Sequence, residues 1–196
     1  MNRQARIERK TGETAVVLHL DLDGQGKADL ETGLPFLDHM LTLWCRHGFF
    51  DLNIRAEGDL QVDPHHLVED LAICLGRAVR EACADKQGLA RYGNATIPMD
   101  EALVTAVIDL SGRPHLTYQF DLPSGLVGPL DGELFREFWQ AFANEGALCL
   151  HLTMHHGLNK HHIIEASFKA AARALNEATS ILRGFNEVLS TKGKLE

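Results

Sequence analysis

His65-His66-Leu67-Val68-Glu69-Asp70 is written a second time as His161-His162-Ile163-Ile164-Glu165-Ala166, at an offset of 96 (161 − 65). The surroundings repeat too. Asp63-Pro64 precedes the first copy and Asn159-Lys160 the second, and Arg77-Ala78 and Arg173-Ala174 keep the same offset. Further upstream, Glu101-Ala-Leu-Val-Thr-Ala-Val-Ile-Asp109-Leu110-Ser111-Gly112 answers Glu13-Thr-Ala-Val-Val-Leu-His-Leu-Asp21-Leu22-Asp23-Gly24, offset by 88 (101 − 13). Self-similarity of this kind marks a duplication, here of a β-β-α-β-α unit of about 90 residues. The expected fold is α+β, an α/β sandwich in which helices cover sheets. The first copy is assigned to residues 1–92, the second to 93–182 and a tail to 183–196.

Within the first copy, Val16, Leu18, Leu20 and Leu22 alternate with Val17, His19 and Asp21, as in a half-buried strand that follows a short basic lead. Asp23-Gly24-Gln25-Gly26 turns it into a weaker strand ending near Leu30. Pro35 opens a helix that Gly48 closes, with Leu37, Met40, Leu41 and Trp44 as its apolar stripe. Residues 51–56 form a short strand. Asp63 and Pro64 then start a helix whose buried face is Leu67, Leu71, Leu75, Ala78, Val79 and Ala82. In the second copy, residues 115–120 are the returning strand and 147–154 the strand before the second motif. Between them lies a helix over 133–143 with Phe135, Phe138, Trp139 and Phe142 apolar and Gly146 as its stop.

Composition narrows the function. With 196 residues, 45% hydrophobic and 23% charged, the chain is an ordinary globular one. A formal charge of −8 argues against binding nucleic acid or an anionic membrane, though a local cluster of Arg and Lys can still hold a small anion. Cys45, Cys74, Cys83 and Cys149 lack C-x-x-C spacing and read as buried free thiols of a reducing cytosol. No apolar run has the length of a membrane span, and Met1 to Arg6 lacks the apolar core of a signal peptide, so the expected location is cytoplasmic.

Imidazole and carboxylate are ligands that zinc, manganese, iron, cobalt and nickel accept. Neighbours on a helix stand about 100° apart, so His65 and His66 diverge, whereas His65 and Glu69, at i and i+4, share a face. His161 and Glu165 do the same. Each helix start thus offers a chelating pair and one histidine aimed sideways. The sideways histidine is expected to complete the other copy's site, within the chain or across a subunit contact. An isolated histidine pair is usually a plain surface or core feature; the glutamate at the same place in both copies favours metal.

His39 stands off its helix's apolar stripe, and its repeat mate Glu137, offset by 98 (137 − 39), is also a candidate ligand. Asp38, His47, His155 and His156 read singly as solvated. Glu13 and Glu101 open the matching strands; near a metal-bound substrate either could act as general acid or base. Arg91, Arg113 and Lys169, joined by Ser190 and Lys192, could clamp a phosphate. Alone, the tail carrying Ser190 and Lys192 reads as a frayed terminus.

At these residues the sequence resembles the imidazoleglycerol-phosphate dehydratase family of histidine biosynthesis. The resemblance runs through Thr11-Gly-Glu13-Thr14, Gly33-Leu-Pro-Phe-Leu-Asp-His39-Met40, His47-Gly48, Gly58-Asp59, both His-His-x-x-Glu motifs, Asp100-Glu101-Ala102, Asp109-Leu-Ser-Gly-Arg113-Pro114 and Ser190-Thr-Lys192-Gly193. It covers nearly the whole chain. It implies a duplicated domain akin to the second domain of ribosomal protein S5, and a homo-oligomeric cage of twenty-four subunits built from trimers with sites at subunit contacts. It also implies two manganese ions per active site and removal of water from D-erythro-imidazoleglycerol phosphate to give imidazole acetol phosphate.

By position, the implied metal ligands are His39, His65, His66, Glu69, His161, His162 and Glu165, with Glu137 where the family usually has a ligating histidine. Glu13 is implied as the acid/base residue, with Glu69 and Glu165 also at the catalytic centre. Arg91, Arg113, Lys169, Ser190 and Lys192 are implied to contact substrate or phosphate, and His39, His47, His65 and His161 to line the substrate. Leu43 replaces a family glutamine, and Leu189 a common proline. Two rival readings use the same residues: a dinuclear metallohydrolase of a small phosphorylated molecule, and a non-catalytic metal-binding paralogue.

Overall fold

The computed structural model describes residues 3–195. The first half runs β1 (Gln4–Lys10), β2 (Thr14–Asp21), β3 (Ala28–Glu31), α1 (Pro35–Gly48), β4 (Asp51–Gly58), α2 (His65–Ala82). The second runs β5 (Tyr92–Met99), β6 (Ala102–Asp109), β7 (His115–Gln119), α3 (Leu134–Gly146), β10 (Cys149–His156), α4 (Lys160–Ala178). A small hairpin, β8 (Leu126–Val127) with β9 (Leu130–Asp131), is inserted before α3. The duplication is present, with one strand more at the head of each copy than the sequence pattern suggested. In β1 only Ala5 and Ile7 are buried, and the exposed positions carry Gln4, Arg6 and Glu8, so the strand reads as a charged leader.

The two sheets have matching orders, β1-β2-β4-β3 and β5-β6-β10-β7. In each, the last-listed edge strand is parallel to its neighbour and the other pairs are antiparallel. The alternation in β2 is as expected: Val16, Leu18 and Leu20 are buried and Val17 and His19 face out. Helices α1 and α2 lie on the first sheet, and α3 and α4 on the second. Between the sheets the copies cross over, α1 packing on α4 and α2 on α3. Every stripe residue named for α1 and α2 is buried.

Backbones approach closely at two glycines. A Cβ on Gly76 would lie 2.6 Å from the Phe142 carbonyl oxygen, and one on Gly93 would lie 1.9 Å from that of Ala174. Phe135, Phe138 and Trp139 of α3 surround Phe168 of α4, with Trp139 and Phe168 ring centres 4.7 Å apart. Trp139 is fully buried, yet its Nε1 finds no hydrogen-bond partner among the described residues. Trp139→Phe keeps the ring packing and removes that unpartnered donor, so it should cost under about 1.5 kcal/mol. Trp139→Ala leaves a cavity and should cost about 3–5 kcal/mol in urea unfolding. Equal losses for the two variants would show that packing around the ring is not what holds α3 to α4.

Cys45, Cys74 and Cys83 are buried and Cys149 is half-buried; all four are free. Burial pushes the Cys45 thiol up to about 12 and those of Cys74 and Cys83 to about 11, which suppresses the thiolate. Among the described residues no helix is long and apolar enough to cross a membrane.

Candidate metal centre and phosphate pocket

The α1–α4 seam builds the first group from both copies. Asn159 caps α4 by accepting from the His161 N–H at 2.9 Å, which sets the helix start. One turn on, Glu165 Oε2 lies 3.1 Å from His161 Nε2 and 3.5 Å from His39 Nε2, which comes from α1. The three ligand atoms lie within 4.8 Å of one another. The edge of Phe36 supports the His161 ring, centre to centre 5.2 Å. Lys169, one further turn along, reaches Glu165 Oε1 at 2.5 Å.

Burial pushes the Glu165 carboxyl up, but Lys169 and then His161 outweigh it and hold the group below the usual glutamate range. His47 faces the same seam. Burial, then the charges of Lys169 and Arg173, hold its imidazole below its ordinary value.

The second group sits where the first sheet meets α2. His66 Nδ1 is 3.0 Å from Asp59 Oδ2 and 3.8 Å from Glu13 Oε2, and the three form a compact N,O,O set. Its counterpart is His162 with Glu101: Nδ1 lies 2.8 Å from Oε2, while Oε1 accepts the N–H groups of Asn159 and Leu158 at 2.7 and 3.1 Å. Those N–H bonds, led by Asn159 and followed by His162, draw the Glu101 carboxyl down to about 2. Glu101 in turn raises His162.

In metal-free protein these shifts define a pH window. Glu101's contribution is complete above its ordinary 4.5 and is lost as pH falls toward 2. That of His162 is complete below its ordinary 6.5 and is lost as pH rises through its raised value. An NMR titration of the metal-free protein should find His162 titrating above 6.5, and a midpoint below it would contradict this balance.

The paired rings have the same geometry in both motifs, with centres 6.3 Å apart at 81° in each. Their settings differ. The ring of His65 and the carboxylate of Glu69 make no hydrogen bond or ion pair among the described residues, and Glu69 is exposed. Glu137 ion-pairs with Arg136 at 3.1 Å and joins neither compact group. The chain thus gathers His39, His161 and Glu165 in one place and His66 with Glu13 and Asp59 in another. It leaves His65, Glu69 and Glu137 outside both. The interlocking of the two sideways histidines, expected from the repeat, is not made within this chain. Asp59 is the partner that residue-by-residue reading passed over; its place beside His66 depends on how β4 ends.

The cations divide similarly. Arg91, Arg113, Ser190 and Lys192 line one cavity of about 710 Å³ together with Tyr92, Leu189, Thr191, Lys194 and Leu195. Lys169 is elsewhere, on Glu165. Asp109 holds Arg91 at 2.8 and 3.2 Å, and Arg91 donates to the Leu189 carbonyl at 2.7 Å. The tail read as frayed is therefore docked: the Gly88 N–H also donates to the Glu187 carbonyl at 2.9 Å.

The fold and the site together define an α+β protein, a crossed-over duplicate sandwich with histidine–carboxylate groups and a cationic cavity. Residues 32–175 match the family model described as imidazoleglycerol-phosphate dehydratase. The enzyme of that name from Shouchella clausii is 55% identical and that from Pelobacter propionicus 54%, over 195 residues and the full length of both chains. Among solved structures, the Staphylococcus aureus dehydratase superposes with a TM-score of 0.82 at 39% identity, covering 91% of this chain and 99% of that one. The Pyrococcus furiosus protein, solved in complex with (S)-C348, gives 0.83 at 35% identity, covering 96% and 100%. The chain belongs to the imidazoleglycerol-phosphate dehydratase family, a family of hydro-lyases.

Proposed function

We propose that this protein is a manganese-dependent dehydratase that converts D-erythro-imidazoleglycerol phosphate to imidazole acetol phosphate and water in cytoplasmic histidine biosynthesis. The observation that carries the metal is the convergence of His39, His161 and Glu165 from opposite copies, with the ligand atoms within 4.8 Å. Nitrogen and carboxylate donors without thiolate suit manganese. His65, His66, Glu69 and His162 would supply the remaining ligands of two ions, and Glu137 stands as a further candidate. Bound there, the metals would supply Lewis acidity, easing development of charge in the substrate's imidazole ring.

The chain's own residues do the rest. The hydroxyl to be lost is on the carbon attached to imidazole and the proton to be lost is on the next carbon, where nothing makes it acidic, so it needs a positioned base. Glu13, its side chain 57% exposed and 3.8 Å from His66 Nδ1, would move it. The cavity of Arg91, Arg113, Ser190 and Lys192 would take the phosphate, and its remote binding energy would orient the reacting carbon. Because His65 and Glu69 lie outside the compact groups of their own chain, their sites would be completed by neighbouring copies, in the trimer-built cage of twenty-four that the family resemblance implies.

The test is to assay purified, tag-free protein with substrate and manganese, and to express it in a histidine auxotroph lacking the dehydratase. Ketone formation that stops on chelation, together with rescue, is expected. Release of inorganic phosphate in place of ketone would establish the metallohydrolase reading, and metal binding without rescue would overturn the assignment.

A further inference from the structure

The carboxylates of Glu13 and Glu101 occupy the same place in the two copies yet are used differently. Glu101 is pinned: Oε1 takes two backbone N–H groups and Oε2 takes His162 Nδ1 at 2.8 Å. Glu13 is not; its nearer oxygen is 3.8 Å from His66 Nδ1, beyond hydrogen-bond reach, and Asp59 makes that bond instead at 3.0 Å. Strands β4 and β10 correspond at an offset of 98 (149 − 51) up to Met154 and, past the register shift there, at 99 (156 − 57), which sets Gly58 opposite Gly157 and Asp59 opposite Leu158. The two glycines match, a Cβ on Gly58 meeting Leu67 and one on Gly157 meeting its repeat mate Ile163, and the residue in the place of Asp59 is the exposed, apolar Leu158. The second copy therefore has no carboxylate in the place of Asp59.

A carboxylate can only accept, so the ring nitrogen it holds carries the hydrogen, and in the neutral ring the other nitrogen keeps its lone pair. In His162, Nδ1 is thereby the N–H and Nε2 the bare donor atom, 3.8 Å from the nearest carboxylate oxygen, of Asp100. In His66 the same follows from Asp59. A carboxylate on the far nitrogen is how metal-binding histidines are commonly oriented.

We propose that Glu101 is a positioning residue that fixes His162 as an Nε2 ligand, and that Asp59 has taken over this task for His66, releasing Glu13 for proton transfer. The two copies have divided one ancestral role: the strand-start glutamate holds a ring in the second copy and reaches substrate in the first. The metal and the role of Glu13 rest on the proposed function; the ring orientations do not.

The test uses ¹⁵N-histidine-labelled full-length protein. Long-range ¹H–¹⁵N spectra of the metal-free wild type, recorded at a pH above the titrations of both rings, should show His66 and His162 as Nδ1–H tautomers, and an Nε2–H His162 would overturn the proposal without any variant. In Glu101→Gln the N–H groups of Leu158 and Asn159 hold the amide oxygen, so the NH₂ faces His162 and forces Nε2–H. Manganese affinity by calorimetry should then fall about 10–100-fold. An unchanged tautomer with unchanged affinity would overturn the assignment to Glu101. Glu13→Gln should leave both tautomers and the manganese affinity as in wild type while abolishing ketone formation; a changed His66 tautomer would overturn the division of labour. Expected tautomers in a protein that forms no ketone would support the positioning roles and refute the proposed reaction.

Discussion

Glu165→Gln is expected to lower turnover by about 10²–10³-fold, a loss near 2.7–4 kcal/mol in the transition state. The reason is the arrangement around one buried carboxylate. Its side chain is 8% exposed, and Oε2 faces His161 and His39 while Oε1 faces Lys169. It is the negative charge shared by both proposed ligand histidines and by the ammonium. Glutamine keeps the shape but loses the charge, and leaves Lys169, 14% exposed, without its counter-ion. Bound metal, measured on tag-free protein, should fall with turnover. Activity within tenfold of wild type at full metal content would remove Glu165 from the proposed centre.

Gly93→Ala should be the most damaging single-methyl change to the fold. The added Cβ would lie 1.9 Å from the Ala174 carbonyl oxygen and 2.7 Å from the Ala178 nitrogen, both main-chain atoms of α4. Main chain cannot swing aside, so the helix must shift by about 1 Å, overpacking that costs about 3 kcal/mol. For a chain of this size that is roughly 6–12 °C in Tm. Because α4 also carries His161, Glu165 and Lys169, activity should fall in parallel. Gly12→Ala is the control, with nothing within 4 Å of the new methyl. A Tm for Gly93→Ala equal to that of Gly12→Ala would show that β5 and α4 are not in the contact described.

Residues whose role follows from local periodicity were legible. The alternation of Val16, Leu18 and Leu20 made β2, and the stripe of Leu37, Met40, Leu41 and Trp44 made α1, because each needs only one apolar face. Edge strands were less so. β1 buries Ala5 and Ile7 and otherwise presents charge, and β5 carries Gly93 and Pro98, so neither shows an apolar run. The short β8–β9 hairpin has too few residues to show any period.

At the site the division has the same cause. That His161 and Glu165 share a face follows from helix geometry, as does the divergence of His161 and His162. That His39 of the first copy joins them follows only from the crossing of α1 onto α4. Asp59 reaches His66 only because β4 ends beside β2, where Gly58 pairs with Thr14. Arg91 meets Ser190 and Lys192 across a cavity closed by the returning tail, a contact between residues 98 positions apart at Leu189. By itself the sequence determined the duplication, the four helices, the central strands and the shared face of His161 and Glu165, the local features among them set by neighbours within a turn or two. Only the tertiary structure decided which copy completes which group, because packing across the sandwich is a contest between distant apolar faces that no local pattern records.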